Sequence, residues 1–175
     1  MSDTKLRPPL DAETKVTESL VDHKAELRLW LRLLTCTKLM ETEVRKQLRT
    51  QFGETLPRFD LMAQLERVED GMTLGEVSKR MMVSAGNVTS LVERLVQGGY
   101  LERRPAPNDR RSQLIRLTNA GRAHFARMAA GHEQWVASLL RDLRGKDMAA
   151  AMTELAKIKQ SVSRAIGAGT AEAGK

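Results

Sequence analysis

The sequence predicts a mainly α-helical protein that carries one small β-hairpin. Hydrophobic residues make up 41% of the 175-residue chain, but aromatic residues make up only 3%. A core with so few aromatic side chains has to be built from Leu, Val, Ala and Met, which suits packed helices better than a β-sandwich. Apolar residues recur at helical spacings of three and four over most of the chain, whereas residues 112–118 alternate like a strand.

The first helix is predicted to be long and to follow a polar arm. Residues 1–19 are mostly polar and include Pro8 and Pro9, so we expect a flexible N-terminal arm. A helical pattern then runs from about Leu20 to Arg49, where Gly53 can end it. Two apolar stripes on this helix imply contact with more than one neighbour. The stripes consist of Leu27, Trp30, Leu31 and Leu34, and of Leu29, Leu33, Cys36, Met40, Val44 and Leu48.

Two shorter helices are predicted next, because both have start signals. Thr55 can cap the second helix, which has Pro57 in its first turn. Thr73 and Glu76 have the spacing of a capping box, in which side chain and backbone satisfy each other, and they begin a helix that runs from Leu74 to about Met82. The buried face of the second helix is predicted to consist of Phe59, Met62 and Leu65.

A fourth helix and a hairpin complete the middle of the chain. Ser84 can cap this helix, and Gly98 and Gly99 can stop it. The segments "YLERR" and "SQLIRLT" then predict two strands around a proline-containing loop. The core-facing residues of the fourth helix, at i, i+3, i+4 and i+7, are Val88, Leu91, Val92 and Leu95.

Two further helices are predicted after the hairpin. Thr118 can cap a helix from Asn119 to about Arg144, which Gly145 ends. Asp147 can cap the last helix, and we expect residues 168–175 to form a disordered tail. The apolar stripe of the last helix consists of Met148, Met152, Leu155, Ile158, Val162 and Ile166.

This order of elements predicts a winged helix-turn-helix core. Two short helices joined by a tight turn and followed by a β-hairpin are typical of that arrangement, which we assign to residues 53–118. The flanking helices, residues 20–52 and 119–167, are too apolar to stand alone in water. We therefore predict that they form a helical dimerisation region against a second copy of the chain.

The charge balance indicates a polyanionic partner. The formal net charge is +7 and the isoelectric point is about 9.9, which favours nucleic acid over a membrane. Cys36 is the single cysteine, and His23, His124 and His132 lack the spacing of a metal motif. No segment resembles a signal peptide or a bilayer span. We expect a cytoplasmic protein without metal, cofactor or membrane partner.

The start of the fourth helix has the composition of a surface that reads DNA. A helix fits the major groove of B-DNA, where its first residues meet base edges. Asn87 can bond bidentately to adenine, Thr89 can contact a thymine methyl, and Arg94 is placed for a phosphate. The alternative is that Asn87 only satisfies backbone groups at the helix start. The full set of candidate residues on this helix is Ser84, Gly86, Asn87, Thr89, Ser90 and Arg94.

The hairpin tip is predicted to enter the minor groove. A narrow minor groove has an enhanced negative potential that attracts an inserted guanidinium, and Arg110 and Arg111 lie at the tip. Asp109 can pair with an arginine and orient it. The alternative is that these arginines are ordinary solvated loop charges. The arginines expected to add positive charge near the DNA backbone are Arg103, Arg104 and Arg116.

The stretch "VSAGNVTSLVERLVQGGYLERRPAPNDRRSQLIRLTNAG" resembles the signature region of the MarR family of winged-helix transcription regulators. Within it, "NDRRSQLIRLTNAG" matches that family's wing, Asp-x-Arg-Ser followed by alternating residues and Leu-Thr-x-x-Gly. The resemblance covers about residues 20–166. It implies a homodimer whose two recognition helices dock in successive major grooves of double-stranded DNA, with Asp109 orienting the wing and Arg111 in the minor groove. It also implies a regulator, interpreted here as a repressor, that a ligand releases.

The resemblance further implies a pocket for a small aromatic effector where the first, second and fifth helices meet. Plain core packing is the alternative for each residue there, and Cys36 is either a small hydrophobe or an oxidation sensor. The candidate pocket residues are Trp30, Cys36, Met40, Phe59, Met62, His132 and Trp135.

A basic ridge on the first helix suggests an anionic effector. Lys24, Arg28 and Arg32 follow each other at intervals of four, so they share one face. The segment "LPRFDLMAQLERVEDGMTLGEVSKRMMVSAGNVTSLVERL" is similar to a subgroup that senses aromatic acyl-CoA thioesters such as hydroxycinnamoyl-CoA, whose phosphates need cations. The alternative is a solvated helix face.

Two other classes of function remain for comparison. An architectural DNA-binding protein without an effector would bind with little sequence preference and a steep salt dependence. An enzyme is not expected, because the sequence has no phosphate-cradling glycine loop, no metal cluster and no nucleophile with a nearby base.

Overall fold

The computed structural model describes residues 25–106 and 109–172, and it has the predicted fold class. These residues form six helices and three short strands. In chain order the elements are α1 Ala25–Phe52, α2 Leu56–Glu66, β1 Met72–Thr73, α3 Leu74–Met81, α4 Ala85–Gln97, β2 Leu101–Ala106, β3 Asp109–Leu117, α5 Asn119–Leu139 and α6 Lys146–Glu172.

The predicted helix starts are confirmed where a side chain caps the helix with a hydrogen bond to the first turn. The Thr73 hydroxyl accepts the backbone N–H of Glu76 at 3.3 Å, and the Glu76 carboxylate accepts the backbone N–H of Thr73 at 2.8 Å. The hydrogen bond from the backbone N–H of Thr73 is the largest cause that lowers the pKa of Glu76, and the bond from the Thr73 hydroxyl is the second. Thr118 accepts the N–H of Gly121 at 3.0 Å. Thr55 precedes α2 as predicted but makes no side-chain cap bond.

The hairpin is confirmed, and it belongs to a three-stranded antiparallel sheet in the order β1-β3-β2. Leu101 pairs with Leu117 across the hairpin, and the register shifts between Pro105 and Ala106. Strand β1 was not predicted from the sequence. It has only two residues, Met72 and Thr73, and it exists because they pair with a strand that lies about 40 residues further along.

Three predicted boundaries near the C-terminus are wrong. Helix α5 ends at Leu139 rather than near Arg144, because the backbone tightens into turns such as Leu143 N–H to the Leu140 carbonyl at 2.9 Å. Helix α6 begins before Asp147, which therefore lies in its first turn instead of capping it. The same helix continues to Glu172, into the stretch expected to be disordered.

The hydrophobic core lies in the first of two compact units, which ends at Val136; the second begins at Ala137. Phe59 is the single aromatic residue among the buried hydrophobic residues described, so the aliphatic core is as predicted. Because the core includes residues of α1 and α5, it extends beyond residues 53–118, and the assignment of DNA-binding and dimerisation regions stays a prediction. The buried hydrophobic residues are Val44, Leu48, Phe59, Leu61, Met62, Leu65, Met72, Val77, Val88, Val92, Leu95, Leu101, Ile115, Leu117 and Met128.

Gly121 marks a close contact between α5 and the base of the hairpin. A Cβ atom at this position would lie 2.0 Å from the Tyr100 carbonyl oxygen and 3.2 Å from the Leu117 side chain. The glycine of the Leu-Thr-x-x-Gly motif is therefore required by packing, and it lets the first turn of α5 lie directly on the sheet.

The single chain leaves much of its predicted apolar surface uncovered. Only the C-terminal half of α1 contributes to the core, through Val44 and Leu48. Apolar side chains of α6 follow each other at intervals of three, seven and four, so they share one face. The exposed large hydrophobic residues of α1, α5, α6 and the α5–α6 connection are Leu27, Leu29, Trp30, Leu39, Leu139, Leu143, Met152, Leu155, Val162 and Ile166. None of the helices described has the length and apolar content of a membrane span.

Candidate nucleic-acid interface

Helix α4 presents a polar face at its N-terminal half. Its apolar side is buried through Val88, Val92 and Leu95, which fixes the orientation of the helix on the core. The residues predicted to contact DNA therefore lie on the opposite side. Ser84, Gly86, Asn87, Ser90 and Arg94 are exposed, and Thr89 is half-buried.

Ser84, rather than Asn87, caps this helix. The Ser84 hydroxyl accepts the backbone N–H of Asn87 at 3.5 Å, and the Asn87 side chain is exposed. The Thr89 hydroxyl donates to the Ala85 carbonyl at 2.9 Å, which leaves its methyl group and its lone pairs for a base. This arrangement favours base contact over capping as the role of the Asn87 amide, which stays a prediction.

A groove of about 540 Å³ lies beside the start of α4. It brings together three of the predicted residues, Asn87, Ser90 and Arg94, and adds two arginines from other helices, Arg49 and Arg58. Arg49 and Arg94 are exposed, and the Arg58 guanidinium is bonded to Glu54 at 3.0 Å. Arginines near one polar helix start suit a phosphate backbone. Its full lining is Arg49, Gly53, Thr55, Pro57, Arg58, Met81, Val83, Asn87, Ser90, Leu91 and Arg94.

Sequence reasoning missed Arg49 and Arg58. Arg49 lies in the last turn of α1, and Arg58 lies in the first turn of α2, so no local spacing relates either residue to α4. The one indication in the sequence that these residues contact DNA is that they are arginines, which are common at phosphate contacts. Tertiary packing brings the two to the same groove.

The turn between α3 and α4 holds a methionine that the sequence did not single out. Met82 has φ 54° and ψ 38°, a left-handed conformation that is uncommon for residues other than glycine. Its side chain is 93% exposed. An apolar side chain therefore stands two residues before Ser84, at the edge of the polar face.

Two arginines of the hairpin share an acidic partner. Glu102 is bonded by the side chain of Arg116, and it also lies 3.1 Å from Nε of Arg104. The Arg116 bond is the largest cause that holds the pKa of Glu102 below its ordinary value. Arg104 and Arg116 are thus partly neutralised, whereas the sequence interpretation counted them as net positive charge. Arg103 is exposed.

The hairpin tip is described in part. Ala106 pairs with Asp109 across the turn, and residues 109–112 belong to β3. Pro107 and Asn108 lie outside the described residues, and so do the side chains of residues 109–112. The roles of Asp109, Arg110 and Arg111 at the minor groove stay predictions.

Comparison with known proteins identifies the family. A model of the MarR family matches residues 52–112. The crystal structure of a MarR family transcriptional regulator from Silicibacter pomeroyi is 33% identical to this chain, with a TM-score of 0.69 over 82% of this chain and 99% of that one. This chain belongs to the MarR family. The predicted family and fold are therefore confirmed, and the family consists of transcription regulators rather than enzymes.

Two further relatives extend the comparison for this MarR-family protein. BadR, a transcriptional activatory protein of Rhodopseudomonas palustris, is 32% identical over 61% of this chain. The matched stretch spans 62% of BadR, which is less than two thirds of its length. A mutant MarR from E. coli, crystallised in complex with operator DNA, is 25% identical, with a TM-score of 0.66 over 79% of this chain and 99% of that one.

The predicted effector pocket of this MarR-family protein is only partly assembled by the fold. The rings of Phe59 and His132 lie 5.0 Å apart, so α2 and α5 meet there. Phe59 and Met62 are buried in the core, while Met40, His132 and Trp135 are half-buried. Trp30 and Cys36 are exposed in the single chain, so neither belongs to its core, and their roles toward an effector stay predictions. Cys36 lies on the exposed side of α1, where core packing does not reach.

One acidic group stands beside this partial pocket. Burial raises the pKa of Asp60, and the charges of Arg45 and then His132 act in the opposite direction.

The basic residues predicted at the start of α1 lie beside a shallow cavity. Ala25, Arg28, Leu29 and Arg32 line a cavity of about 320 Å³ there. Lys24, the third predicted member, lies outside the described residues. Arg28 and Arg32 thus share one face, as predicted, and their role toward a ligand stays a prediction. The described residues contain no group of three His, Cys, Asp or Glu side chains placed to hold a metal ion.

Proposed function

We propose that this protein is a dimeric transcription regulator of the cytoplasm that binds a pseudo-palindromic operator and leaves it when a small aromatic effector binds. The observation that carries this proposal is the exposed polar start of α4 beside a groove that Arg49, Arg58 and Arg94 line. Arginines position a protein on phosphates, and polar residues at a helix start read base edges. The net charge of +7 supports the same partner.

The proposed dimer is supported by the apolar residues that the single chain exposes on α1, α5 and α6. A water-exposed face such as that of Met152, Leu155, Val162 and Ile166 is stabilised when a second copy covers it. In the proposed dimer a twofold axis relates the two copies, so the pair carries two α4 helices for two half-sites. Half-sites about 34 Å apart, one turn of DNA, then match the pair.

We propose repression because it requires only that the protein occupies its site on DNA. A dimer that occupies a promoter blocks transcription by occupancy alone, and no surface for RNA polymerase is needed. BadR, by its name, activates transcription. The position of the operator relative to the promoter decides between the two outcomes.

Selection from a random pool of DNA duplexes tests operator reading. We expect the wild-type protein to enrich two inverted half-sites whose centres lie about 10 base pairs apart. Asn87→Ala should weaken binding to the enriched site by roughly 5- to 100-fold, because one bidentate base contact is lost. An effector-independent architectural protein would enrich no sequence, and Asn87→Ala would then leave the affinity unchanged.

The effector is proposed to be a small aromatic acid or an aromatic acyl-CoA of the hydroxycinnamoyl type. Two arginines on one face of α1 suit the phosphates of CoA, and the aromatic rings of Phe59 and His132 suit an aromatic acyl group.

Arg28→Ala is the variant that tests the anionic part of this effector. It should leave the affinity for the operator within about twofold of wild type, since Arg28 is not among the residues that line the groove beside α4. It should weaken binding of hydroxycinnamoyl-CoA about tenfold, measured by calorimetry, because a hydrogen bond to a charged group is lost. Absence of heat from wild-type protein with the CoA ester would remove this effector from the proposal.

A further inference from the structure

A buried glutamate stands at the junction of α1 and α2, and none of the proposed contacts uses it. Glu54 is 5% exposed, although it lies between two helices where an acidic residue is usually solvated. Its backbone N–H donates to the Leu48 carbonyl at 3.2 Å, so the end of α1 fixes the position of the residue. A carboxylate removed from water is costly unless cations or donors satisfy it.

Two cationic or donor side chains meet this carboxylate. Nη1 of Arg58 donates to Oε2 of Glu54 at 3.0 Å, and Nε2 of His124 lies 3.5 Å from Oε1 without forming a hydrogen bond. On the other side of the ring, the Arg127 guanidinium lies 3.2 Å from Nδ1 of His124. Because arginine can only donate, Nδ1 accepts, and in the neutral ring the proton lies on Nε2, which faces Glu54.

Aromatic packing holds His124 in place behind the glutamate. The His124 ring stacks on Tyr100 with centroids 4.4 Å apart and an angle of 10°, and it meets the edge of Phe52 at 6.3 Å. Tyr100 directly precedes β2, so the base of the hairpin helps to fix His124. The backbone of Glu54 is therefore held by α1, and its carboxylate is bonded by Arg58 of α2 and faces His124 of α5.

The partner of this carboxylate is one of the groove arginines. Arg58 lines the groove together with Asn87 and Arg94, and its side chain is only 23% exposed. An arginine that is held in one rotamer loses less conformational entropy when it binds a phosphate. An exposed pair such as Glu41 with Arg45 on α1 has no comparable restraint, because both of its side chains face water.

We propose that Glu54 is a positioning residue for DNA binding, which holds Arg58 at the wall of the groove so that Arg58 contacts a phosphate of the operator. This inference rests on the proposed function. Glu54 itself touches no DNA, and it acts through Arg58. The buried carboxylate of Glu54 therefore has a role at this junction, because it fixes the Arg58 guanidinium where the duplex docks.

A double-mutant cycle on full-length protein tests the proposal, with the selected duplex as the probe and affinity measured over a series of salt concentrations. Arg58→Gln should weaken binding about tenfold and reduce the slope of log affinity against log salt by about one phosphate contact. Glu54→Gln should weaken binding about threefold in the wild-type background and have no further effect in the Arg58→Gln background. Glu41→Gln, the matched control, should change neither quantity.

The outcomes separate the proposal from the function on which it rests. If the wild-type protein binds the duplex but Arg58→Gln keeps its affinity and salt slope, the positioning role is wrong and the regulator stands. An equal loss from Glu54→Gln in both backgrounds also overturns it, because Glu54 would then act on stability rather than through Arg58. Thermal unfolding of each variant shows whether a loss of affinity comes from a loss of stability. Failure of the wild-type protein to bind any duplex overturns both.

Discussion

Gly121→Ala is expected to destabilise the protein by about 3 kcal/mol, at the upper end of the range for overpacking. A methyl group here would lie 2.0 Å from the backbone oxygen of Tyr100, a distance that only a shift of α5 or of the hairpin base can relieve. The Thr118 cap, whose hydroxyl accepts the Gly121 N–H, would be disturbed as well. In a protein of this size the change should lower the Tm by roughly 6–12 °C in thermal unfolding.

Gly75→Ala provides the matched control for this prediction. Gly75 lies in α3 and a Cβ atom there meets nothing within 4 Å, so the substitution only replaces a poor helix former by a good one. It should stabilise the protein by about 1 kcal/mol. If Gly121→Ala were as stable as wild type, the first turn of α5 could not lie against Tyr100, and the packing described here would be wrong.

Arg111→Ala is expected to weaken operator binding by more than about tenfold while the dimer stays folded. The guanidinium is proposed to enter a narrow minor groove, where the negative potential is enhanced and a single cation contributes strongly. Titration in a band-shift experiment at fixed salt gives the affinity, and sedimentation gives the oligomeric state.

Arg141→Ala removes the same charge from an exposed site outside the hairpin and serves as the control. Its affinity should remain within about twofold of wild type, since net charge alone has a small effect at physiological salt. Equal losses from Arg111→Ala and Arg141→Ala would mean that the wing contributes general charge and not a groove contact.

Local interactions explain why most of the fold could be predicted from the sequence. The cap pairs Thr73 with Glu76 and Thr118 with Gly121 act over three residues, so their spacing is visible in the chain. The apolar spacing of α4 also fixed which of its faces would be exposed. The family resemblance singled out Arg111 as the minor-groove arginine, whereas the residues alone indicated both Arg110 and Arg111.

Long-range packing explains what could not be predicted. Glu54 looks like a loop residue in the sequence, and its burial depends on His124, which lies 70 positions later. Arg49 and Arg58 reach the groove only because the four helices α1 to α4 converge there. Strand β1 is too short to show any alternation, and it forms because β3 pairs with it. The end of α5 at Leu139 has no glycine or proline to announce it.

In the proposed complex, two copies of the chain each place one helix in a major groove and one hairpin in the neighbouring minor groove. Hydroxyl-radical footprinting of wild-type protein on the selected duplex tests this most directly. We expect protected backbone positions related by a twofold axis, in two central blocks about one helical turn apart and two flanking blocks at the minor grooves. Uniform protection along the duplex, or a single unpaired block, would contradict the account.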